Sequence, residues 1–343
     1  MTTVNYIIDN KVVNKLTTER KWLDSYIPTI TKYIEKEGVN IVFDVDSDFD
    51  LIHIHVPLTK AYFLSRRNNN GNHKPVIFHG HMTEDTFPIG SQLRFIIRKW
   101  IKKIARKSDL ILCPSLSAER YFKEHFPEKN IKQLNYGINL DNYAYSHEDG
   151  ITFRQRYRIG TNETVVCCVG GMTYRKGIDE FYEIARRFPD IRFVWIGGLF
   201  FRNQHIYKIY NKIDRNSINV HDLPDNVIST GYTSHITAAL SASDIFFFPS
   251  RQETQGLALV EAAANNRAIV TRDLPVFKEW LTHGHDCLMG AYLDDFAEHI
   301  QTIKEDKALA IRLGGEAKRS AKKYHDVNRT AESLARIYKE LSG

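Results

Sequence analysis

Glu253 and Glu261 stand eight residues apart, and Gly256 follows the first of them by three. Just upstream, Asp244-Ile-Phe-Phe-Phe-Pro-Ser250 reads as a buried parallel strand running into a loop. Just downstream, Leu257 to Asn266 reads as a helix. The first carboxylate is therefore expected in a strand-to-helix loop, the place where open α/β sheets bind ligands. The second is expected about two turns into the helix. Eight residues at ~1.5 Å rise cover roughly 12 Å, enough to reach across an extended polar ligand. Gly256 lets the backbone approach a ligand at a helix N-terminus, which favours a diphosphate.

A second constellation begins at Val165-Val-Cys-Cys-Val-Gly-Gly-Met-Thr-Tyr-Arg-Lys-Gly177. It reads as a strand, a loop containing Gly170 and Gly171, and two cations, Arg175 and Lys176, at a helix start. Cations at a helix N-terminus oppose the helix dipole, so their presence points to an anionic ligand. When a bond to a diphosphate is cleaved, negative charge grows on the departing group. Fixed cations stabilise that charge more in the transition state than in the ground state. Arginine grips two oxygens, while lysine acts as a point charge. The G-x-G-x-x-G spacing of a dinucleotide site is absent here, as is a P-loop.

These motifs need a scaffold, and the rest of the chain supplies alternating strands and helices. In the first half the expected strands are Val4 to Asp9, Val39 to Phe43, Asp50 to His55, Pro75 to Phe78, Asp109 to Pro114 and Ile131 to Asn135. The expected helices are Thr17 to Glu37, Tyr62 to Arg67, Gln92 to Lys107 and Ser115 to His125, with Ser115 and Ser117 as N-cap candidates. Arg67 to His73 reads as an exposed turn, and polar Asn139 to Gly150 as a linker. The second half repeats the pattern, with strands at Thr164 to Val169, Arg192 to Ile196, Val227 to Thr230, Ile245 to Phe248 and Ala268 to Thr271. A last helix is expected from Val327 to Leu341. This predicts an α/β chain with two parallel-sheet domains, and 343 residues suit two cores better than one.

Composition narrows the class. Apolar residues make up 43% of the chain, as in an ordinary globular protein. No apolar run is long enough to span a bilayer, and Met1 to Asn10 lacks the pattern of a signal peptide. The four cysteines, Cys113, Cys167, Cys168 and Cys287, have no metal spacing and read as buried thiols in a reducing cytoplasm. The net charge of +6 is modest but locally concentrated. Leu93 to Lys107 holds cations and no acid. At 100° per residue, Leu93, Ile96, Ile97, Trp100, Ile101 and Ile104 share one face. Arg94, Arg98, Lys99, Lys102, Lys103 and Arg106 occupy the other. Such a helix suits an anionic membrane surface, or packs its apolar face on a sheet, or does both. No nucleic-acid reader motif accompanies it, so nucleic acid is not an expected partner. Leu199-Phe-Phe201 is open between lipid contact and a buried strand end.

The E-x7-E arrangement, with the loop ending Arg175-Lys176-Gly177, resembles the donor site of family 4 retaining glycosyltransferases of the GT-B fold. The resemblance implies two Rossmann-like domains with parallel sheets facing across a cleft. Residues 1–145, completed by the helix at 326–343, would form the acceptor and membrane side, and residues 146–325 the nucleotide-sugar side. It further implies that Glu253 holds the hexose, Glu261 the ribose, and Arg175 and Lys176 the diphosphate of a UDP-hexose. Gly170, Gly171, Thr254, Gln255, Gly256 and Leu257 would line the donor, and Tyr232 in Gly231-Tyr-Thr233 would contact the base. In Phe78-His-Gly-His-Met-Thr-Glu-Asp85, His81 aligns best with the family's histidine beside the hexose, with His79 the alternate. The stretch His81 to Asp85 also resembles the Gram-positive bacterial glycolipid synthases that add α-glucosyl or α-galactosyl units to diacylglycerol lipids, and there Glu84 and Asp85 would lie beside the acceptor. Arg272 to Val276 with Glu279-Trp-Leu281 is similar to the same subgroup.

On that resemblance the expected activity is transfer of an α-hexose, glucose or galactose, from a UDP-sugar to diacylglycerol or an already glycosylated lipid. The protein would lie peripherally on the inner face of the cell membrane, with no cofactor or metal. Two departures stand out. Gly171 occupies a position where many members carry arginine, and the loop after the first strand, Asp9 to Lys15, has no glycine. Two other readings stay open: the same fold acting on a soluble glycan or wall-polymer precursor, and a non-catalytic partner subunit of a glycosyltransferase complex.

Overall fold

A computed structural model of the chain describes residues 1–8, 21–44, 46–56, 61, 74–83, 94–199 and 222–343, with only the backbone given at 21–25 and 94–97. The expected helix at Tyr62 to Arg67, the turn at Arg67 to His73, the loop at Asp9 to Lys15, Glu84, Asp85 and the Phe200-Phe201 pair lie outside the described residues. The chain divides into two compact units, Met1–Ile138 with His325–Gly343, and Asn139–Tyr324.

The first unit holds a six-stranded sheet of β1 (Thr2–Ile7), β2 (Val39–Val42), β3 (Leu51–Ile54), β4 (Val76–His79), β5 (Leu110–Cys113) and β6 (Ile131–Gln133), in the order β2-β1-β3-β4-β5-β6. Every pairing is parallel. Helices α1 (Lys21–Lys36), α2 (Arg94–Ala105) and α3 (Leu116–His125) connect them. Alternation along the strands sorts the side chains. Ile52, Ile54, Val76, Phe78 and Ile111 join Ile101, Ile104 and Ala105 of α2 and Phe122 of α3 in one apolar core. Ser115 caps α3, accepting from the Ala118 N–H at 3.0 Å. The chain returns to this sheet at its end through α10 (Val327–Ser342), whose buried Tyr338 hydroxyl lies 2.7 Å from that of Tyr6.

The second unit holds β7 (Val165–Val169), β8 (Arg192–Ile196), β9 (Val227–Ser229), β10 (Ile245–Phe248), β11 (Ala268–Arg272) and β12 (Leu288–Gly290), in the order β12-β11-β10-β7-β8-β9, again all parallel. Its helices are α4 (His147–Arg156), α5 (Ile178–Arg187), α6 (Ile236–Ser241), α7 (Leu257–Ala264), α8 (Leu293–Glu305) and α9 (Lys307–His325). The strand order runs outward from β7 in both directions. The loops after β7 and β10 are therefore neighbours at the topological switch point, where such sheets form their ligand crevice.

Two expectations need correction, and one strand went unforeseen. Asn139 to Gly150 is not an unstructured linker: Asn139 caps a short 3-10 turn, Leu140–Tyr143, and Ser146 caps α4. Two of its polar residues, Asn139 and Ser146, are caps, which compositional reading mistakes for loop. Strand β12 is three residues long and carried no periodic signal. Helix α7 starts at Leu257, so Glu261 sits about one turn into it rather than two, and the roughly 12 Å of continuous helix between the carboxylates does not exist.

The two adjacent glycines of α9 offer a test of the packing. A Cβ at Gly314 would lie 2.2 Å from the Asn266 carbonyl oxygen, whereas a Cβ at Gly315 would meet nothing within 4 Å. Gly315→Ala should stabilise the protein by up to about 1 kcal/mol through helix propensity. Gly314→Ala should destabilise it by about 1–3 kcal/mol through overpacking. Urea denaturation of the two variants checks the opposite signs.

Candidate donor site at the switch point of the second sheet

The loop leaving β7 passes through Gly170 to Thr173, which caps a 3-10 turn at Tyr174–Lys176. The turn ends on Gly177, with φ 76° and ψ 31°, and leads into α5. A side chain at Gly177 would be strained by that left-handed backbone. Its Cβ would also stand 2.6 Å from the Pro249 carbonyl oxygen, on the loop leaving β10. The two loops therefore touch through backbone at a point where only glycine fits. They are also hydrogen-bonded: the Arg251 N–H donates to the Arg175 carbonyl at 2.8 Å, and Arg175 Nη1 donates to the Gln252 carbonyl at 2.9 Å.

Contact between the loops brings the expected charges together. Lys176 Nζ lies 2.6 Å from Glu253 Oε1, Arg175 Nη1 lies 3.5 Å from the same oxygen, and Ser250 Oγ donates to it at 2.7 Å. All three charged side chains are largely buried, at 14% (Lys176), 17% (Arg175) and 8% (Glu253) exposure. Burial alone would raise the Glu253 carboxyl, but Lys176, Arg175 and the hydrogen bonds from Lys176 and Ser250 outweigh it and hold it below the ordinary carboxylate range. Two cations share one carboxylate, which leaves an excess positive charge, and Arg175 Nε is buried with no hydrogen-bond partner. The Lys176 stem crosses Gly170, whose Cβ would lie 3.4 Å from Lys176 Cδ.

Gly256 adopts φ 84° and ψ 60° at the start of α7, with no side-chain cap, so the first turn of that helix presents backbone N–H groups beside the cluster. Gln255 is buried beside it. Thr254 and Leu257 flank these residues in the chain. Glu261 points to a different partner. Burial pushes its carboxyl up to about 7, although a hydrogen bond with Tyr143 and the charge of Lys176 both act to lower it. Tyr232 stands apart, beyond β9, where it packs against Gly198 and donates to the Leu199 carbonyl at 3.4 Å.

Several residues of this site carried no usable signal in the sequence. Ser250 and Tyr143 act through single hydrogen bonds to the two glutamates. Arg251 pairs bidentately with Asp179 at 2.7 Å on both oxygens, donates to the Tyr174 carbonyl at 2.6 Å, and lies 3.8 Å over the Tyr174 ring. It braces the turn that carries Arg175 and Lys176.

In the first unit, His79 ends β4 and His81 follows two residues later. They are 1% and 4% exposed. Both ring nitrogens of His81 are engaged, Nε2 with His55 Nδ1 at 2.9 Å and Nδ1 with the Tyr136 hydroxyl. On α2, Ile101, Ile104 and Ala105 are spent in the core, so that part of the apolar face packs on the sheet. Arg98, Lys99, Lys103 and Arg106 are exposed, Trp100 and Lys102 are half-buried, and Lys103 Nζ lies 5.3 Å from the Trp100 ring centroid. Arg94 belongs to the helix, but its side chain is outside the described ones.

The raised carboxyl of Glu261 predicts a pH-dependent variant effect. Because the folded state binds this proton more tightly than the unfolded chain, Glu261 costs stability once it ionises. The cost is absent below the unfolded value of 4.5, develops as pH rises, and is complete above about 7. Glu261→Gln should therefore melt higher than the parent protein at pH 8, with the difference vanishing at pH 4.5. Melting curves at the two pH values check this.

Comparison with known proteins agrees with this architecture. The family model "Glycosyltransferase Family 4" matches residues 4–142, and "Glycosyl transferases group 1" matches residues 150–320. A processive diacylglycerol alpha-glucosyltransferase of Acholeplasma laidlawii is 29% identical over 319 residues, covering 90% of each chain. An alpha-galactosylglucosyldiacylglycerol synthase of Streptococcus pneumoniae is 22% identical, covering 85% of this chain and 78% of that one. Among solved structures, Anabaena HepE in complex with UDP-glucose superposes with a TM-score of 0.76 at 17% identity, covering 99% of this chain and 100% of that one. Sucrose-phosphate synthase from Thermosynechococcus elongatus superposes with a TM-score of 0.71 at 17% identity, covering 94% and 79%. The chain belongs to the family 4 glycosyltransferases and has their GT-B fold.

Proposed function

We propose that this protein is a retaining glycosyltransferase that moves an α-hexose, glucose or galactose, from a UDP-sugar to a lipid acceptor such as diacylglycerol or glucosyl-diacylglycerol. The observation that carries this reading is the buried cluster of Arg175, Lys176 and Glu253 beside the first turn of α7. Its excess positive charge suits a diphosphate. Lipid is favoured as acceptor by the two relatives named for diacylglycerol glycosylation, which match most of this chain.

In this reading Arg175, Lys176 and the N–H groups at the start of α7 take the β-phosphate as the glycosidic bond breaks, and Glu253 turns to the hexose hydroxyls. Glu261 accepts from the ribose hydroxyls. Retention proceeds by attack on the face the leaving group departs from. The acceptor oxygen forms the new bond to the anomeric carbon, and its proton passes to the departing phosphate oxygen. His81 stands on the acceptor side, held by His55 and Tyr136. No metal takes part in these steps, because the two cations supply the counter-charge. The exposed cations of α2 meet anionic lipid headgroups at the inner face of the cell membrane, while its apolar residues remain in the core.

The deciving assay incubates the protein with UDP-glucose or UDP-galactose and liposomes containing diacylglycerol or glucosyl-diacylglycerol, and reads the product by mass spectrometry and its anomeric configuration by NMR. Lys176→Ala should lower kcat about 10²–10³-fold, as the loss of one transition-state charge contact does. Full activity in that variant or in Glu253→Gln would sink the site assignment. A soluble glycan acceptor is the second reading, favoured by the burial of Ile101, Ile104 and Ala105 away from any lipid.

Membrane attachment has its own test. Replacing Lys99, Lys103 and Arg106 by alanine should weaken binding to anionic liposomes about 10²-fold at low salt, at about 1 kcal/mol per charge. Unchanged sedimentation with liposomes would remove α2 from the membrane contact.

A further inference from the structure

Four imidazoles share one face of the first sheet. His53 and His55 lie two residues apart on and just beyond β3, and His79 and His81 two residues apart at the end of β4. Strand alternation therefore turns all four to the side opposite the α2 core. None is more than 4% exposed. The rings stack in pairs, with centroids 4.1 Å apart for His53 and His55 and 4.1 Å apart for His79 and His81. Sequence reading found no metal constellation, because the two pairs are far apart in the chain and only the pairing of β3 with β4 makes them neighbours.

Their hydrogen bonds define a consistent protonation pattern. His53 Nδ1 lies 2.6 Å from the Tyr338 hydroxyl, His79 Nδ1 lies 3.3 Å from His53 Nε2, and His55 Nδ1 lies 2.9 Å from His81 Nε2. His81 Nδ1 meets the Tyr136 hydroxyl. With Nδ1 protonated on all four rings, each contact has one donor and one acceptor, and Tyr338 passes its own proton toward Tyr6. In that pattern two Nε2 lone pairs are left over and a third is weakly engaged. Those of His55 and His79 are buried with no donor at all. That of His53 receives only the long 3.3 Å contact.

Three buried acceptors without a good donor form a site for a cation. One ring nitrogen from each of His53, His55 and His79 lies within 4.8 Å of the other two. Ligands at 2.0–2.1 Å around a tetrahedral zinc stand about 3.3 Å apart, so the three rings must draw together to close the set. Neutral imidazole is the metal-binding form. The Nδ1–H groups of His53 and His55 are held by Tyr338 and His81, the outer hydrogen bonds that orient metal-bound imidazoles.

We propose that His53, His55 and His79 bind one divalent transition-metal ion of the zinc type, a structural site that joins β3 to β4 and, through Tyr338, to α10. It lies within the first unit and does not depend on the reading of the donor site.

The test uses the full chain, free of any histidine tag and purified without chelator. Elemental analysis by mass spectrometry should find close to one equivalent of metal per chain after gel filtration. Stripping with dipicolinate should lower the melting temperature, and added zinc should restore it. Cobalt(II) added to stripped protein should give visible absorption between about 500 and 650 nm with the intensity of a tetrahedral nitrogen site. His55→Phe, which keeps a ring in the stack, should lose the bound equivalent and the cobalt spectrum while its circular dichroism stays that of the parent. Three results would each overturn the proposal. One is folded parent protein with no metal, no cobalt spectrum and no zinc-dependent melting shift. Another is metal retained in His55→Phe at parental stoichiometry. The third is a cobalt spectrum of octahedral intensity, which would place the ion on surface groups. The parent-protein measurements decide the matter even where the variant fails to fold.

Discussion

The carboxylate of Glu253 joins two loops of the second unit. Arg175 and Lys176 arrive on the loop leaving β7, and their counter-charge arrives on the loop leaving β10. Two adjacent like charges at this degree of burial cannot stand without a partner. The partner reaches them only because the strand order reverses between β7 and β10. The remaining features of the site follow from that approach. Gly177 is forced by the Pro249 carbonyl, Arg251 spans from one loop to the acids of α5, and Ser250 supplies the hydrogen bond that fixes the carboxylate from its own side.

The first unit solves a different problem with different chemistry. One face of its sheet is apolar and packed on α2 and α3, as alternation requires. The other face carries neutral imidazoles and tyrosine hydroxyls, and each buried polar atom there needs a partner. Tyr338 of α10 supplies one, so the return of the chain to this sheet also completes a hydrogen-bond network that the first 138 residues leave open. Among the described residues of this face the buried polar groups named above are uncharged, whereas the second unit buries Glu253 against Arg175 and Lys176. Burial disfavours charge in both sets of groups: it keeps the histidines neutral, whereas the paired cations overcome it and keep Glu253 ionised.

What the sequence disclosed divides along the same physical line. The alternation of apolar runs and amphipathic helices located eleven of the strands because burial on both faces writes a continuous local signal. Glu253, Arg175 and Lys176 stood out as candidates because carboxylates and cations beside glycines are the residue types a sugar diphosphate would need, and the structure brings the three together. The start of α7 was legible at Leu257, and Glu261, four residues on, lies about one turn in because a turn takes 3.6 residues; the spacing from Glu253 includes a loop and not helix alone. Tyr143 was hidden in a segment whose capping residues mimic a linker. The four histidines were visible singly, but their relation is set by strand pairing, which sequence spacing does not encode.

The pairing of Glu253 with both cations also governs how variants of this site should be read. A residue that satisfies buried charge in the empty protein has a structural task before any ligand binds. Removing its charge exposes Arg175 and Lys176 to the full cost of unpaired burial, so a loss of activity alone does not assign it to the sugar. Glutamine keeps the size and one acceptor oxygen for Ser250 and Lys176 but not the charge, while alanine removes both. If Glu253 contacts the sugar in the transition state, the glutamine variant loses kcat more than it loses affinity for UDP, because UDP brings its own charge to the two cations. If it only holds the loops together, both fall in step. The difference between those two patterns, rather than the size of either loss, separates the scaffold from the chemistry.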